Sequence, residues 1–184
     1  LYNYHLRFGE IFEYIEQPVL EISDLIKLKR EIPMKIAIDE SIRKALNSDF
    51  SKASEFADYA IIKWAPSGGF SKAAKLIEKI GLPAVISSAL DTGIGISHGL
   101  ALAASLSTES LACGLATTSL FEGDVVRPEL VISGGAIEFK RPELDLDLAK
   151  RYEASDDRRI WWQERISKIW ANGFGERWLN GQRN

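Results

Sequence analysis

The sequence is poor in cysteine: its 184 residues contain Cys113 and no second cysteine. An internal disulfide is therefore excluded, and we expect a reducing, cytoplasmic location. Long apolar runs are also lacking, since none reaches the roughly 18 residues that a membrane-spanning helix needs. Histidine is scarce as well, and neither His5 nor His98 is expected to be catalytic.

Neither positive nor negative charge dominates the sequence. The chain has 23 Lys and Arg against 26 Asp and Glu, which are intermixed and give a net charge of −3. This distribution gives no basic surface for nucleic acid or for an anionic membrane, so neither is expected as a partner. Hydrophobic residues make up 46% and charged residues 27%, as in a globular domain with an apolar core.

Short apolar segments recur along the first 126 residues. Such nearly continuous apolar strands are typical of parallel sheets that are buried on both faces. Strands are predicted at 13–20, 34–41, 59–66, 83–90 and 111–118, the last being the weakest because Ala, Cys and Gly are poor strand formers. Helical patterns lie between them at 21–32, 71–81 and 95–106. The alternation predicts an α/β fold.

Polar residues end the first four strands at a regular spacing. Glu16, Asp39, Lys63 and Ser87 are separated by 23, 24 and 24 residues. In a barrel of eight βα units, the carboxyl ends of the strands share one rim, which carries the active site. We therefore predict a partial (β/α)8 TIM-type barrel that comprises the last five βα units, in residues 1–126.

The C-terminal residues 127–184 have a different pattern. Residues 127–144 predict a β-hairpin turning at a Gly-Gly pair. A helical segment follows, and we expect its apolar stripe to form core packing against the barrel; the stripe comprises Trp161, Trp162, Ile166, Ile169 and Trp170. The last ten residues, 175–184, are expected to fray.

The polar residues at the rim suggest a metal site. Glu16 and Asp39, at neighbouring strand ends, could hold Mg²⁺, which prefers oxygen ligands. A lysine such as Lys63 at the end of a buried strand is costly unless anions lie near it, and there it could act as an acid, a base or a cationic stabiliser. The spacing also fits a helix cap by Asp39 or Ser41 and an ion pair of Glu16 with Lys63.

The segment SSALDTGIG, residues 87–95, places small hydroxyls and glycines before a helix. Backbone N–H groups at a helix start bind anions readily, so this segment could hold a substrate carboxylate. An ordinary βα loop would fit equally well. Cys113, within the fifth predicted strand, is expected to be a small core residue.

Several motifs together resemble the enolase superfamily, and within it the o-succinylbenzoate synthases of actinobacteria. They are YIEQP, AIDES, IIKWAPSGG, GLPAVISSALDTGIGISHGLALAA and ACGLATT. The resemblance implies a barrel with an α+β capping domain and Mg²⁺ bound by three acidic residues. It makes Glu16 and Asp39 the ligands from the fourth and fifth strands, and Lys63 the sixth-strand lysine. It also implies that Ser87, Ser88 and Gly95 line the pocket for the substrate carboxylate.

The implied reaction is syn elimination of water from SHCHC, a hydroxylated cyclohexadiene carboxylate, which gives o-succinylbenzoate for menaquinone synthesis. The capping domain, the first three strands, the third acidic ligand and the second-strand lysine pair are absent from these residues. We therefore expect a truncated form that is inactive alone and binds Mg²⁺ weakly.

Other readings stay open. N-succinylamino acid racemase, dipeptide epimerase and muconate cycloisomerase are sister activities on the same scaffold. The chain could also be a non-catalytic remnant, or one part of a split enzyme completed by an N-terminal piece.

Overall fold

The computed structural model describes residues 2–8, 11–44, 50–106 and 111–174. The chain divides into two compact units, Leu1–Asp145 and Leu146–Asn184. The first unit contains the predicted α/β elements, and the second contains the C-terminal helices. The predicted division at residue 126 stays a prediction, as does the packing of the C-terminal helix on the barrel.

Four parallel strands form the main sheet of the first unit. They are β1 (Ile15–Glu16), β2 (Ile36–Ile38), β3 (Tyr59–Lys63) and β4 (Ala84–Ser87). They lie side by side in chain order, and each pairs in parallel with the next. Helices connect them, so the α/β class is confirmed, and the arrangement is consistent with the predicted partial (β/α)8 barrel.

The three predicted helices are present, and their ends lie within two residues of the predicted ones. The helices of the first unit are α1 (Tyr2–Phe8), α2 (Ile22–Glu31), α3 (Glu40–Lys44), α4 (Phe70–Ile80) and α5 (Gly93–Ser105). α4 ends at Gly81, whose positive φ of 69° a glycine adopts without steric cost. α1, α3 and a short 3₁₀ turn at Ala53–Glu55 had no counterpart in the predictions.

Both faces of the sheet are buried, as its apolar strands predicted. Successive side chains of a strand point to opposite faces. On one face, Ile36, Ile38, Ile62 and Ile86 pack against the helices, with the buried helical residues Leu25, Ala73, Leu76, Ile96 and Leu102. On the other face, a smaller buried cluster consists of Ala37, Tyr59, Ile61 and Val85.

The fifth predicted strand is reduced to one bridge, between Gly114 and Ser87. A Cβ at Gly114 would lie 2.6 Å from the Ser87 hydroxyl, so the close approach requires glycine. The segment continues as a 3₁₀ helix, Ala116–Leu120, instead of a strand. The expectation for Cys113 is wrong, because its side chain is exposed and not in the core.

Two small antiparallel pairs end the first unit. β6 (Ile132–Ser133) and β7 (Ala136–Ile137) form the predicted hairpin across a Gly-Gly turn. β5 (Val126–Arg127) pairs with β8 (Glu143–Leu144), an additional pairing that encloses the hairpin.

The second unit consists of α6 (Leu146–Arg151), α7 (Asp156–Ile169) and a distorted turn, Trp170–Phe174. Its predicted apolar stripe is exposed, with Trp161 42% and Ile166 59% accessible. The predicted packing of this stripe on the barrel concerns the other unit and stays a prediction. The predicted fraying concerned residues 175–184, which lie outside them. No helix in the described ranges is long and apolar enough to cross a membrane.

Leu25 on α2 is fully buried in the larger core. We expect Leu25→Ala to lower the free energy of unfolding by about 2–5 kcal/mol, because the substitution leaves a cavity. Leu146 on α6 is 74% exposed, so Leu146→Ala should change it by no more than about 0.5 kcal/mol. Urea denaturation of both variants measures the difference, and equal losses would contradict the described core.

Candidate active site at the strand ends

The register of the sheet puts the predicted site residues on one face. Glu16 pairs with Ala37, and Lys63 pairs with Ser87. Paired residues of parallel strands point to the same face, as do residues two apart in one strand. Glu16, Asp39, Lys63 and Ser87 therefore follow the face of the smaller cluster, each at the carboxyl end of its strand.

Asp39 and Lys63 form a buried ion pair. The Lys63 ammonium contacts Asp39 Oδ2, and the two side chains are 18% and 3% exposed, respectively. The Arg43 guanidinium lies 3.7 Å from the other oxygen, Oδ1, and also pairs with Glu40 at 2.8 Å. A buried carboxylate requires such partners, since burial without them is costly. The ion pair that Lys63 makes is thus with Asp39, where the sequence had suggested Glu16.

Glu16 lies beside this pair, close enough for the charges of Asp39 and Lys63 to act on its carboxyl group. Although the residue remains partly exposed, desolvation of the carboxyl group raises the pKa of Glu16 above its ordinary value of 4.5. The negative charge of Asp39 raises this pKa further, while Lys63 lowers it. The structure therefore brings together the three residues on which the metal prediction depended.

Gln17 joins the segments that follow β1 and β2. Its Oε1 accepts hydrogen bonds from the backbone N–H groups of Asp39, at 2.8 Å, and Ser41, at 3.2 Å. Its Nε2 donates to the carbonyl of Val19 at 2.7 Å and to the hydroxyl of Ser41 at 2.6 Å. Gln17 thus accepts from the Ser41 amide, one of the amides that a capping side chain of Asp39 would bind.

The predicted substrate-binding residues have varied surroundings. Ser87 lies beside Lys63 in the register of the sheet. The buried Ser88 hydroxyl is 2.6 Å from that of Thr117. The Gly95 carbonyl accepts a hydrogen bond of 2.9 Å from the indole of Trp64, the residue after Lys63. Their role in binding a substrate stays a prediction.

A carboxylate of the chain itself contacts the start of α5. The Gly93 N–H lies 3.0 and 2.9 Å from the two oxygens of Asp124. The sequence had suggested that amides here could hold a substrate carboxylate, and the first helical amide already has an anionic partner.

Glu16 and Asp39 fit a divalent cation. Two neighbouring carboxylates repel one another, and next to desolvation this repulsion from Asp39 is a cause of the raised pKa of Glu16. A divalent cation would relieve the same repulsion, and Mg²⁺ is commonly bound through one or two carboxylates plus water and substrate oxygens. No three acidic, histidine or cysteine side chains group into a metal site in the described part of the chain.

Sequence reasoning missed three residues of this region. Arg43 was detectable, because it lies four residues after Asp39, the spacing that brings side chains together on a helix. Gln17 lies inside the motif YIEQP but had no assigned role. Asp124 is 31 residues from Gly93, and no local pattern indicates such a contact.

Comparison with known proteins places this geometry in a family. A family model described as "Enolase C-terminal domain-like" matches residues 6–143. An o-succinylbenzoate synthase of Mycobacterium tuberculosis (strain ATCC 25618 / H37Rv) is 38% identical over 159 residues, which are 86% of this chain and 48% of that protein. One of Mycobacterium ulcerans (strain Agy99) is 41% identical over 154 residues, 84% of this chain and 47% of that protein. The chain spans about half the length of these relatives.

Solved structures show the same fold. The N-succinyl Arg/Lys racemase of Bacillus cereus superposes with a TM-score of 0.68 at 22% identity, over 79% of this chain and 42% of that one. The muconate lactonizing enzyme of Pseudomonas putida gives a TM-score of 0.67 at 22% identity, over 79% of this chain and 44% of that one. At this identity the likeness supports the fold and not a substrate.

The raised pKa of Glu16 predicts a pH dependence. A carboxyl group whose pKa is higher in the folded than in the unfolded state stabilises the fold at low pH, and this contribution is lost as the pH rises through the folded-state pKa. Without metal, carboxyl ¹³C NMR should titrate Glu16 above pH 4.5, and at lower pH in Asp39→Asn, which lacks the neighbouring charge. Glu16→Gln should lose less stability than wild type over that pH range. A Glu16 midpoint that Asp39→Asn leaves unchanged would contradict the coupling.

Proposed function

Since the chain belongs to the enolase C-terminal domain-like family, we propose that it is the barrel segment of a Mg²⁺-dependent carbon–oxygen lyase of the o-succinylbenzoate synthase type. The observation that carries the proposal is the contact of Lys63 with the buried Asp39 beside Glu16, at neighbouring strand ends. Two carboxylates and an ammonium in one place suit the elimination of water next to a substrate carboxylate.

The residues have separate roles in this proposal. Glu16 and Asp39 would hold Mg²⁺. When bound, Mg²⁺ would supply positive charge that stabilises the negative charge developing on the substrate carboxylate. The Lys63 ammonium, held by Asp39, would stabilise the same charge and could exchange a proton with the substrate. Such interactions accelerate the reaction because they are strongest in the transition state.

The substrate proposed is SHCHC, and the product is o-succinylbenzoate for menaquinone synthesis in the cytoplasm. We propose that Ser87, Ser88 and Gly95 line the pocket for the substrate carboxylate. The relatives of Mycobacterium tuberculosis and Mycobacterium ulcerans, which bear the name of this activity, support the choice.

These 184 residues are proposed to be inactive alone and to need an N-terminal piece of the same enzyme. Among the described residues, only Glu16 and Asp39 are proposed as metal ligands, whereas the family resemblance implies three.

A substrate comparison tests the proposal. The full-length protein that carries these residues should dehydrate SHCHC in the presence of Mg²⁺, and the 184-residue chain should not until it is mixed with the N-terminal piece. Racemisation of N-succinylamino acids without dehydration of SHCHC would replace the proposed activity by a sister activity. Substantial turnover by the 184-residue chain alone would refute the need for a second piece.

Lys63 gives the sharpest test of the assigned residues. In the full-length protein, Lys63→Ala should lower kcat by roughly 10²–10⁴-fold, the usual contribution of a proton-transfer group. Lys27, an exposed lysine on α2, provides the matched control, and Lys27→Ala should leave kcat unchanged. Circular dichroism verifies that both variants fold. A folded Lys63→Ala variant with normal kcat would remove Lys63 from the site.

A further inference from the structure

Gln17 occupies a backbone conformation that its side chain disfavours. Its φ is +38°, in the left-handed region that residues with a Cβ rarely adopt. Glycine would adopt the same conformation without steric cost. Strain of this kind persists where the surrounding contacts over-determine it, and it is concentrated at functional sites. The side chain of Gln17 must therefore make stabilising contacts that glycine, which has no side chain, cannot make.

The side-chain amide of Gln17 uses both of its ends. Oε1 accepts from the N–H groups of Asp39 and Ser41, after β2. Nε2 donates to the Val19 carbonyl and the Ser41 hydroxyl, at 2.7 and 2.6 Å, so that the segments after β1 and β2 are joined. Ser41 is itself held, since its hydroxyl donates to the Leu20 carbonyl at 3.2 Å.

Both carboxylates are directly attached to this connection. Glu16 is the residue before Gln17, and the Asp39 amide is bonded to Oε1. The main chains of the two residues are thus fixed relative to one another, through this bond and through the pairing of Glu16 with Ala37. Carboxylates from two separate loops can bind one cation only if that relative position is maintained.

We propose that Gln17 is a positioning residue that holds Glu16 and Asp39 in the arrangement that binds a divalent cation. This inference rests on the proposed metal site, and it assigns a role to a side chain that does not itself bind the ion. Removing such an outer partner typically costs roughly 10–100-fold in metal affinity.

The test is a titration with Mn²⁺ of the full-length protein that carries these residues, in which electron paramagnetic resonance measures the free ion. Gln17→Met keeps the length of the side chain and the backbone strain but removes all four hydrogen bonds, and it should weaken Mn²⁺ binding roughly 10–100-fold. Gln163, an exposed glutamine on α7, provides the matched control, and Gln163→Met should bind as wild type does. Should Gln17→Met fail to fold, Gln17→Asn, which is one methylene too short to reach both segments, should show the same loss.

A second readout needs no metal. Amide hydrogen exchange followed by NMR should show faster exchange at Asp39 and Ser41 in Gln17→Met, because their acceptor is gone. Gln17→Glu, which keeps an oxygen at that place, should restore the protection. A role in folding alone would lower stability without changing Mn²⁺ affinity in the folded variant.

Mn²⁺ binding by the Asp39→Asn variant distinguishes failure of the positioning role from failure of the metal site. If Asp39→Asn abolishes Mn²⁺ binding and folded Gln17→Met binds as tightly as wild type, the positioning role is overturned and the metal site stands. If wild type binds no Mn²⁺, or Asp39→Asn binds it unchanged, the proposed metal site is wrong and the positioning role falls with it.

Discussion

Parallel pairing of β1 to β4 in a fixed register is the constraint on which the rest of the first unit depends. In a strand, a shift of one residue would move every side chain to the opposite face. The observed register directs Ile36, Ile38, Ile62 and Ile86 to the helices and keeps Ala37, Tyr59, Ile61 and Val85 on the other face. The same register puts Glu16, Asp39 and Lys63 on one side of the sheet. One strand pairing therefore determines both the packing of the core and the arrangement of the site.

The charges at the strand ends are balanced locally. Asp39 is almost fully buried and has cations on both oxygens, from Lys63 and Arg43, so its charge is compensated within the chain. Glu16 differs, because desolvation and the negative charge of Asp39 raise its pKa although Lys63 lowers it. The site thus contains one neutralised carboxylate and one that is not neutralised. Such a site is suited to accept added positive charge.

Much of this arrangement could be predicted from the sequence, because it follows from local pattern. The strands around Ala37 and Ile61 are apolar and evenly spaced, and the carboxyl end of each strand carries a polar residue. Contacts that join distant segments could not be predicted, such as that of Asp124 with Gly93. The fifth strand was over-predicted because Ala112, Cys113 and Gly114 resist extended pairing. For the stripe containing Trp161, apolar periodicity indicates a face but not its partner, so its packing on the barrel stays a prediction.

The exposed Cys113 has a practical consequence. As the sole thiol of the sequence, it offers a unique attachment point for a fluorophore or spin label, one residue from the bridge that joins Gly114 to Ser87. Desolvation of the thiol raises the pKa of Cys113, which lowers the fraction of reactive thiolate at a given pH. A probe there would report on the edge of the sheet without any engineered cysteine.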